Sequence, residues 1–359
     1  MKPHQVPTVP LQPLKTISPS AFSALNACPL RAVWAAHSPP LLPRSAKTRL
    51  GTVVHHLWEA AASGKITDEA AFDKAWRVEI DAQETDMLRD WKEAHLVPLN
   101  LSVPDLEVRR LRCRRQLTGW RSGTGRTTYR AEQMVTDATG TVKGRIDVVS
   151  VDANGAHLID LKTGEVVDAA GAIKEEYLTQ LKLYAALYHE TNGNWPASLA
   201  LRTADGREWT LNWTPAECCA LLLEAVEIHA RINTAIEQGP QGETLAKPDP
   251  VACQYCPFRP ACSYYWQRRQ NAPGKEWPMD ARGRVENLTR LGNGRWKLCL
   301  VNELETVHIR GLSPTRQTFL RENLAEVAFY SLRCESTGQY TEGSLTTGYC
   351  GDTTKGGYK

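Results

Sequence analysis

The spacing of hydrophobic positions changes along the chain and divides it into segments. After Ser18-Pro19, an N-cap followed by proline at the first helical position, Phe22, Leu25 and Cys28 recur at helical spacing. Two more helical patterns follow near 51–63 and 67–95. From residue 129 the period falls to two. Segments 129–135, 142–152 and 156–163 predict strands rich in valine and isoleucine, the last two joined across Asn154-Gly155. Tyr177, Leu181, Tyr184, Leu187 and Tyr188 then predict a helix over about 174–190. A hairpin of 197–203 and 207–213 turns at Asp205-Gly206, and Thr214-Pro-Ala-Glu217 opens a capped helix that ends near Gly239.

Residues 240–274 are rich in proline and cysteine. Beyond them the pattern is mostly strand: 281–290, 294–302 and 304–310, a helical run at 315–324, then 326–335 and about 339–349. Three strands, a helix and two strands match the element order of an OB-type barrel. The expected organisation is an extended, disordered tail over 1–16, a larger α/β domain over 17–273, a smaller mostly-β, OB-like domain over 275–350 and a flexible tail over 351–359.

Length and composition narrow the class. A chain of 359 residues with 42% hydrophobic side chains suits about two packed domains and excludes wholesale disorder. No run of about 18–20 apolar residues is present to span a membrane. Residues 1–15 carry four prolines and no apolar signal core, so a cytoplasmic protein is expected. The net charge of +3 predicts no partner by itself, but residues 109–130 hold eight arginines and no acid. Such a block suits either phosphate contact or a solvated face.

The most informative stretch is Gly144-Arg-Ile-Asp147 followed by Asp160-Leu-Lys-Thr-Gly164. A two-residue turn at Asn154-Gly155 pairs Asp147 with Lys162 and Val149 with Asp160. Alternation then puts Asp160 and Lys162 on one face and Leu161 on the other. Two carboxylates held together call for a cation, and a hard divalent ion suits oxygen ligands and leaves positions for water and phosphate. An ordinary exposed Asp–Lys pair would leave the same spacing. Upstream, Gly51-Thr-Val-Val-His55-His-Leu-Trp-Glu59 places His55 and Glu59 on one helical face. Downstream, Gln180 and Tyr184 again stand at i and i+4.

In order, Gly-x-x-x-His, Gly-Arg-Ile-Asp, Asp-Leu-Lys-Thr-Gly and Gln-x-x-x-Tyr resemble the motifs of the RecB-like branch of the PD-(D/E)XK nucleases, over about residues 17–270. The resemblance implies a restriction-endonuclease-like core, a mixed sheet flanked by helices. It implies His55, Asp147, Asp160 and the carbonyl of Leu161 as ligands of Mg2+ or Mn2+, Lys162 as the catalytic lysine, and Gln180 and Tyr184 as residues that place the strand and the lysine. Glu132 stands where the family often has an acid, although a plain edge-strand glutamate explains it equally.

Cys253-x2-Cys256-x5-Cys262 is a metal-ligand spacing, and ten cysteines without a secretion signal argue against a disulfide framework. With Cys28-Pro29 far upstream, four thiolates could enclose zinc or a [4Fe–4S] cluster. The arrangement is similar to the iron–sulfur staple of AddB-type and CRISPR-associated RecB-like nucleases, which favours iron–sulfur over zinc.

The resemblance therefore implies a metal-dependent deoxyribonuclease, an exonuclease rather than an endonuclease, acting on single-stranded DNA or duplex ends in DNA repair and recombination or in defence against foreign DNA. The alternative is a non-catalytic DNA-end clamp within a helicase–nuclease complex. The chain has no Gly-x4-Gly-Lys-Ser/Thr loop, so unwinding would fall to a helicase partner.

Overall fold

The computed structural model of the chain describes residues 4–118, 128–239, 242–303, 305–320 and 326–351. Arg121, Arg126, Arg321 and the tail from 352 onward lie outside them. Helix α1 (Pro19–Ala27) begins as expected, with Ser18 Oγ accepting from the Ala21 amide. It stops at Cys28, whose extended backbone caps α2 (Pro29–His37). Helix α3 (Ala46–Ala62) starts five residues before the expected 51, because Ser45 accepts from the Thr48 amide and fixes the first turn there. It is followed by α4 (Glu69–Arg89), α5 (Leu99–Ser102) and α6 (Leu106–Thr118).

The chain then enters the sheet through β1 (Thr128–Thr136), β2 (Lys143–Asp152) and β3 (Gly155–Lys162). It crosses over on α7 (Glu175–Asn192) to β4 (Ser198–Thr203) and β5 (Glu208–Thr210). The strand order is β1-β2-β3-β4-β5, antiparallel except for the β3–β4 pair that α7 connects. Helix α8 (Pro215–Glu237) opens with the expected capping box: the Glu217 amide donates to Thr214 Oγ1 and the Thr214 amide to the Glu217 carboxylate. Two hydrophobic cores lie on the two faces of this sheet. One joins Ile146, Val149, Leu158, Leu199 and Leu201 to α1, α2, α7 and α8; the other joins Val148, Ile159, Leu161 and Ala200 to α3, α4 and α6. The domain is a mixed sheet between helical layers, the fold class expected.

Two expectations for this domain need correction. The β2–β3 turn is Ala153-Asn154, and Asp152 pairs with Gly155, so Val149 faces Leu158 and not Asp160. The slip is of two residues. Because side chains alternate with period two, it preserves the shared face of Asp160 and Lys162 while moving Asp147 opposite Asp160 instead of Lys162. The N-terminal segment is also not a free tail over its described residues 4–16. Prolines keep it extended, but Leu14 and Ile17 are buried in the first core, the Leu14 amide donates to Asn233 Oδ1 at 2.8 Å, and Ile17 bridges Val142.

The proline- and cysteine-rich segment contains two helices, α9 (Pro250–Gln254) and α10 (Ser263–Asn271). The C-terminal β domain comprises β6 (Ala281–Arg290), β7 (Trp296–Val301), β8 (Thr306–Leu312), β9 (Glu326–Tyr330), β10 (Arg333–Ser336), β11 (Gln339–Thr341) and β12 (Thr347–Cys350). Their order is β10-β11-β8-β7-β6-β9-β12, with β8 and β11 parallel. Strands β9 and β10 lie far apart in that order yet are separated only by Ser331 and Leu332, so the sheet curls around the core of Leu298, Leu300, Ile309 and Phe329. The helical run expected at 315–324 is absent over its described residues 315–320, which form turns; Ser313-Pro314 opens the run, but Glu342 takes the Ser313 amide and Gln317. The N-terminal segment reaches this domain too, through the Cys350 amide bonded to the His4 carbonyl at 2.8 Å. Among the described residues no helix is long and apolar enough to cross a membrane.

Candidate active site

The site lies where β2 and β3 part. Their ladder ends at Val148–Ile159, and beyond it the Leu161 amide donates to Asp147 Oδ2 at 2.7 Å. A carboxylate thus takes a donor that a continuing ladder would have given to backbone. Asp160, one residue earlier on β3, is 2% exposed. Its Oδ1 accepts from Gln180 Nε2 at 2.9 Å, and its Oδ2 ion-pairs with Lys162 Nζ at 2.7 Å. Lys162 Nζ also donates to Gln180 Oε1 at 3.0 Å and stands 4.5 Å from the centre of the Tyr177 ring. One amide on α7 therefore holds both the carboxylate and the ammonium.

Burial pushes the Asp160 carboxyl up to about 6, against the pull of Lys162 and with the repulsion of Asp147 adding to it. Burial raises Asp147 as well, opposed by the Leu161 amide and Lys162. Two buried carboxyls thus share the single ammonium of Lys162, too little charge to offset their burial.

Helix α3 supplies the other wall. His55 Nδ1 is 4.0 Å from Asp147 Oδ2, and burial lowers the imidazole pKa, which favours the neutral form a metal needs. Glu59 lies one turn on and meets Glu132, which ion-pairs with Arg145. Burial and the Glu59 charge push Glu132 up to about 7. Glu132 has φ 58°, a left-handed conformation that a glutamate within a strand rarely adopts, and this turn of the backbone accompanies its place among Glu59, Arg145 and Asp147.

The motif glycines have steric explanations. A Cβ on Gly51 would meet Thr163 Oγ1 at 2.9 Å, so glycine lets α3 approach the end of β3. A Cβ on Gly144 would meet Tyr184 Cε1 at 2.6 Å and Pro19 Cδ at 2.9 Å. Tyr184 is thereby packed between α1 and β2, with its hydroxyl near the Gln180 side chain and its pKa raised by burial.

His55, Glu59, Glu132, Asp147, Lys162 and Arg145 line a cleft of about 890 Å3. Asp160 and Gln180 stand buried behind Lys162, and Tyr184 is buried further within the first core. Arg145, Arg109, Arg112 and Tyr177 were not anticipated as site residues. The arginine block and the i,i+3 spacing are the sequence signal for Arg109 and Arg112, while Arg145 stands inside the Gly-Arg-Ile-Asp motif and Tyr177 one turn before Gln180.

Cys28, Cys253, Cys256 and Cys262, nearly the full length of the domain apart in sequence, line one small cavity together with Trp34 and Arg259. All four are free thiols, and burial pushes Cys253 and Cys262 up to about 12. Among the described residues no group of three or more histidine, cysteine or acidic side chains stands closed to the geometry of a bound metal ion, here or in the cleft.

Residues 16–263 match the PD-(D/E)XK nuclease superfamily. The chain belongs to that superfamily. No curated protein matches the sequence. Among solved structures, a crystal structure of SSO0001 is 18% identical, with 50% of this chain and 80% of that one covered and a TM-score of 0.26. A protein of Eubacterium rectale designated as an exonuclease is 11% identical, with 72% and 94% covered and a TM-score of 0.35. The assignment rests on the family match and not on these partial overlaps.

Proposed function

We propose that the protein is a divalent-metal-dependent deoxyribonuclease that cuts single-stranded DNA or DNA ends, with exonucleolytic action. The observation that carries this reading is the convergence of Asp147, Asp160 and Lys162 at the head of one cleft, with Gln180 bonded to two of them. The donor set suits Mg2+ or Mn2+: the two carboxylates of Asp147 and Asp160 and the imidazole of His55, which burial holds toward its neutral form. His55, Asp147, Asp160 and the carbonyl of Leu161 would hold it, and Glu59 and Glu132 stand beside them. When bound, such an ion lowers the pKa of a ligated water and neutralises phosphate charge. The side chains divide the remaining work. Lys162 holds a proton donor and positive charge where negative charge develops on a scissile phosphate. Gln180 fixes the lysine and Asp160 relative to each other, and Tyr184 packs behind them.

We read the four cysteines as ligands of a [4Fe–4S] cluster, with zinc as the alternative occupant. Support comes from four buried or half-buried thiols on one cavity, two arginines nearby (Arg31 and Arg259) to offset thiolate charge, and burial that raises Cys253, Cys256 and Cys262 and keeps those thiols protonated unless a metal takes the protons' place. The curled C-terminal sheet, with its parallel β8–β11 pair, supports an OB-type barrel.

The test is cleavage of labelled single-stranded DNA with Mg2+ or Mn2+, with and without EDTA, by the parent, Asp160→Ala and Lys162→Ala proteins. Metal-dependent cleavage by the parent, lost in both variants while each remains folded, is expected. Parental rates in both variants would refute the assigned site.

A further inference from the structure

Helix α6 carries five arginines, Arg109, Arg110, Arg112, Arg114 and Arg115, and they fall into separate groups. Arg110 ion-pairs with Asp73 at 2.6 Å and with Glu107, and Arg114 with Glu69 at 3.4 Å and Asp73 at 3.5 Å. These two fasten α6 to α4. Arg109 and Arg112 instead line the cleft that holds Asp147 and Lys162. Arg115 is exposed and lines no part of it.

At i and i+3 on one helix, Arg109 and Arg112 project side by side, with Cβ atoms about 5–6 Å apart. Arg112 is exposed and, among the described residues, meets no acidic partner. Arg109 has one, Asp105, at 2.8 Å in an exposed i,i+4 pair. Exposed pairs of this kind contribute little, so a phosphate can displace the carboxylate. Lys47, exposed in the first turn of α3, also lines the cleft and acts on Asp105. Asp147 and Glu132, by contrast, have side chains only 17% and 21% exposed. The cations Lys47, Arg109 and Arg112 thus stand at the mouth, beside the exposed acids Asp105, Glu165 and Asp205, while Asp147 and Glu132 lie deeper, where a backbone gripped outside would be cut.

We infer that Arg109 and Arg112 form a phosphate track that positions a single-stranded nucleic acid across the cleft mouth. The inference rests on the nuclease reading and adds positioning residues to it. Arginine suits this task because its planar fork binds phosphate oxygens bidentately. The contacts are to backbone, so they are blind to base sequence and sensitive to salt.

Binding of a single-stranded oligonucleotide in EDTA, measured across a range of salt, tests the track apart from catalysis. Arg109→Ala and Arg112→Ala should each lower the slope of log K against log salt by about 0.7, the value for one phosphate contact on a single strand. Arg115→Ala should leave it unchanged, and Arg112→Lys should restore most of the slope. Single-turnover cleavage at saturating DNA should stay parental in the alanine variants while KM rises. An unchanged slope in Arg112→Ala, or an equal fall in Arg115→Ala, would overturn the track. A parent that binds with the expected slopes but fails to cleave DNA in the presence of Mg2+ or Mn2+ would instead overturn the nuclease reading and leave the track standing.

Discussion

Gln180 and Asp160 are joined by a 2.9 Å hydrogen bond between α7 and β3, and the other end of the same amide accepts from Lys162 at 3.0 Å. A neutral amide offers a donor and an acceptor at this spacing without adding charge. Gln180→Glu places a third carboxyl against Asp160 and removes its donor. Metal affinity and cleavage should fall by about 10–100-fold, the usual cost of losing a residue that orients a metal ligand. Gln180→Ala should fall less, since it adds no charge. Titration of Mn2+ binding in both variants checks the order, and equal losses would contradict it.

The raised carboxyls predict a pH dependence of metal-free stability. Asp160 moves from its ordinary 3.8 to about 6 and Glu132 from 4.5 to about 7. The folded protein therefore holds protons that the unfolded chain has already released, so their contribution is complete below about pH 4 and is lost as pH rises to about 7. In EDTA, Asp160→Asn should lie close to the parent in melting temperature at pH 4 and increasingly above it toward pH 7, and Glu132→Gln should behave likewise. Cleavage should run the opposite way, rising as the carboxyls ionise. A constant offset between parent and variants across this range would contradict the assignment.

Much of the site was legible because alternation survives errors of register. The expected turn lies one residue late and the expected pairing two residues out of register, yet Asp160 and Lys162 share a face in both. What was hidden depends on geometry without local signal. Helix α6 buries only Leu106, Cys113 and Leu117, too narrow a stripe to mark a helix amid arginines. The left-handed turn at Glu132 has no glycine or asparagine to announce it. Asp280 lies well after the cysteines in sequence but bonds to the arginine among them.

That arginine supports a third prediction. Arg259 is 3% exposed, ion-pairs with Asp280 at 2.7 Å, and donates to the carbonyls of Cys253, Gln254 and Cys256 at 3.0–3.2 Å. Asp280 also accepts from Tyr265 and from the Ser331 amide. The pair thus ties the cysteine loop to the β domain. Asp280→Asn leaves a buried guanidinium uncompensated, at about 3–5 kcal/mol, and the melting temperature should drop by roughly 10 °C. A change under about 2 °C would show that the pair is dispensable.

The cysteine cavity predicts a chromophore. Protein purified anaerobically should be brown, with broad absorbance at roughly 400 nm and about four irons per chain. Cys28→Ala and Cys253→Ala should each lose the colour and destabilise the domain, since either removes one end of the same closure. Stoichiometric zinc without iron would reject the cluster while keeping the staple.

The C-terminal domain cannot simply be removed to learn whether it binds DNA. Tyr330 is 1% exposed and packs with Trp266 and Tyr349 between the domains, so it is no stacking platform for bases. Deleting 275–359 would also strip Arg259 of Asp280 and His4 of its partners on β12. Surface variants avoid this. Arg290, Arg310 and Arg333 are exposed on β6, β8 and β10, and Trp296 lies half-buried beside Leu312 on β7. If the barrel guides single strands, replacing the three arginines with alanine should weaken binding about uniformly across sequences and lower the salt slope by up to about 2, the value for three lost phosphate contacts. The fold should be unaffected, because none of the three lies in a core. Unchanged affinity at every salt concentration would leave the domain a structural brace, its Asp280 and aromatic contacts holding the cysteine loop in place.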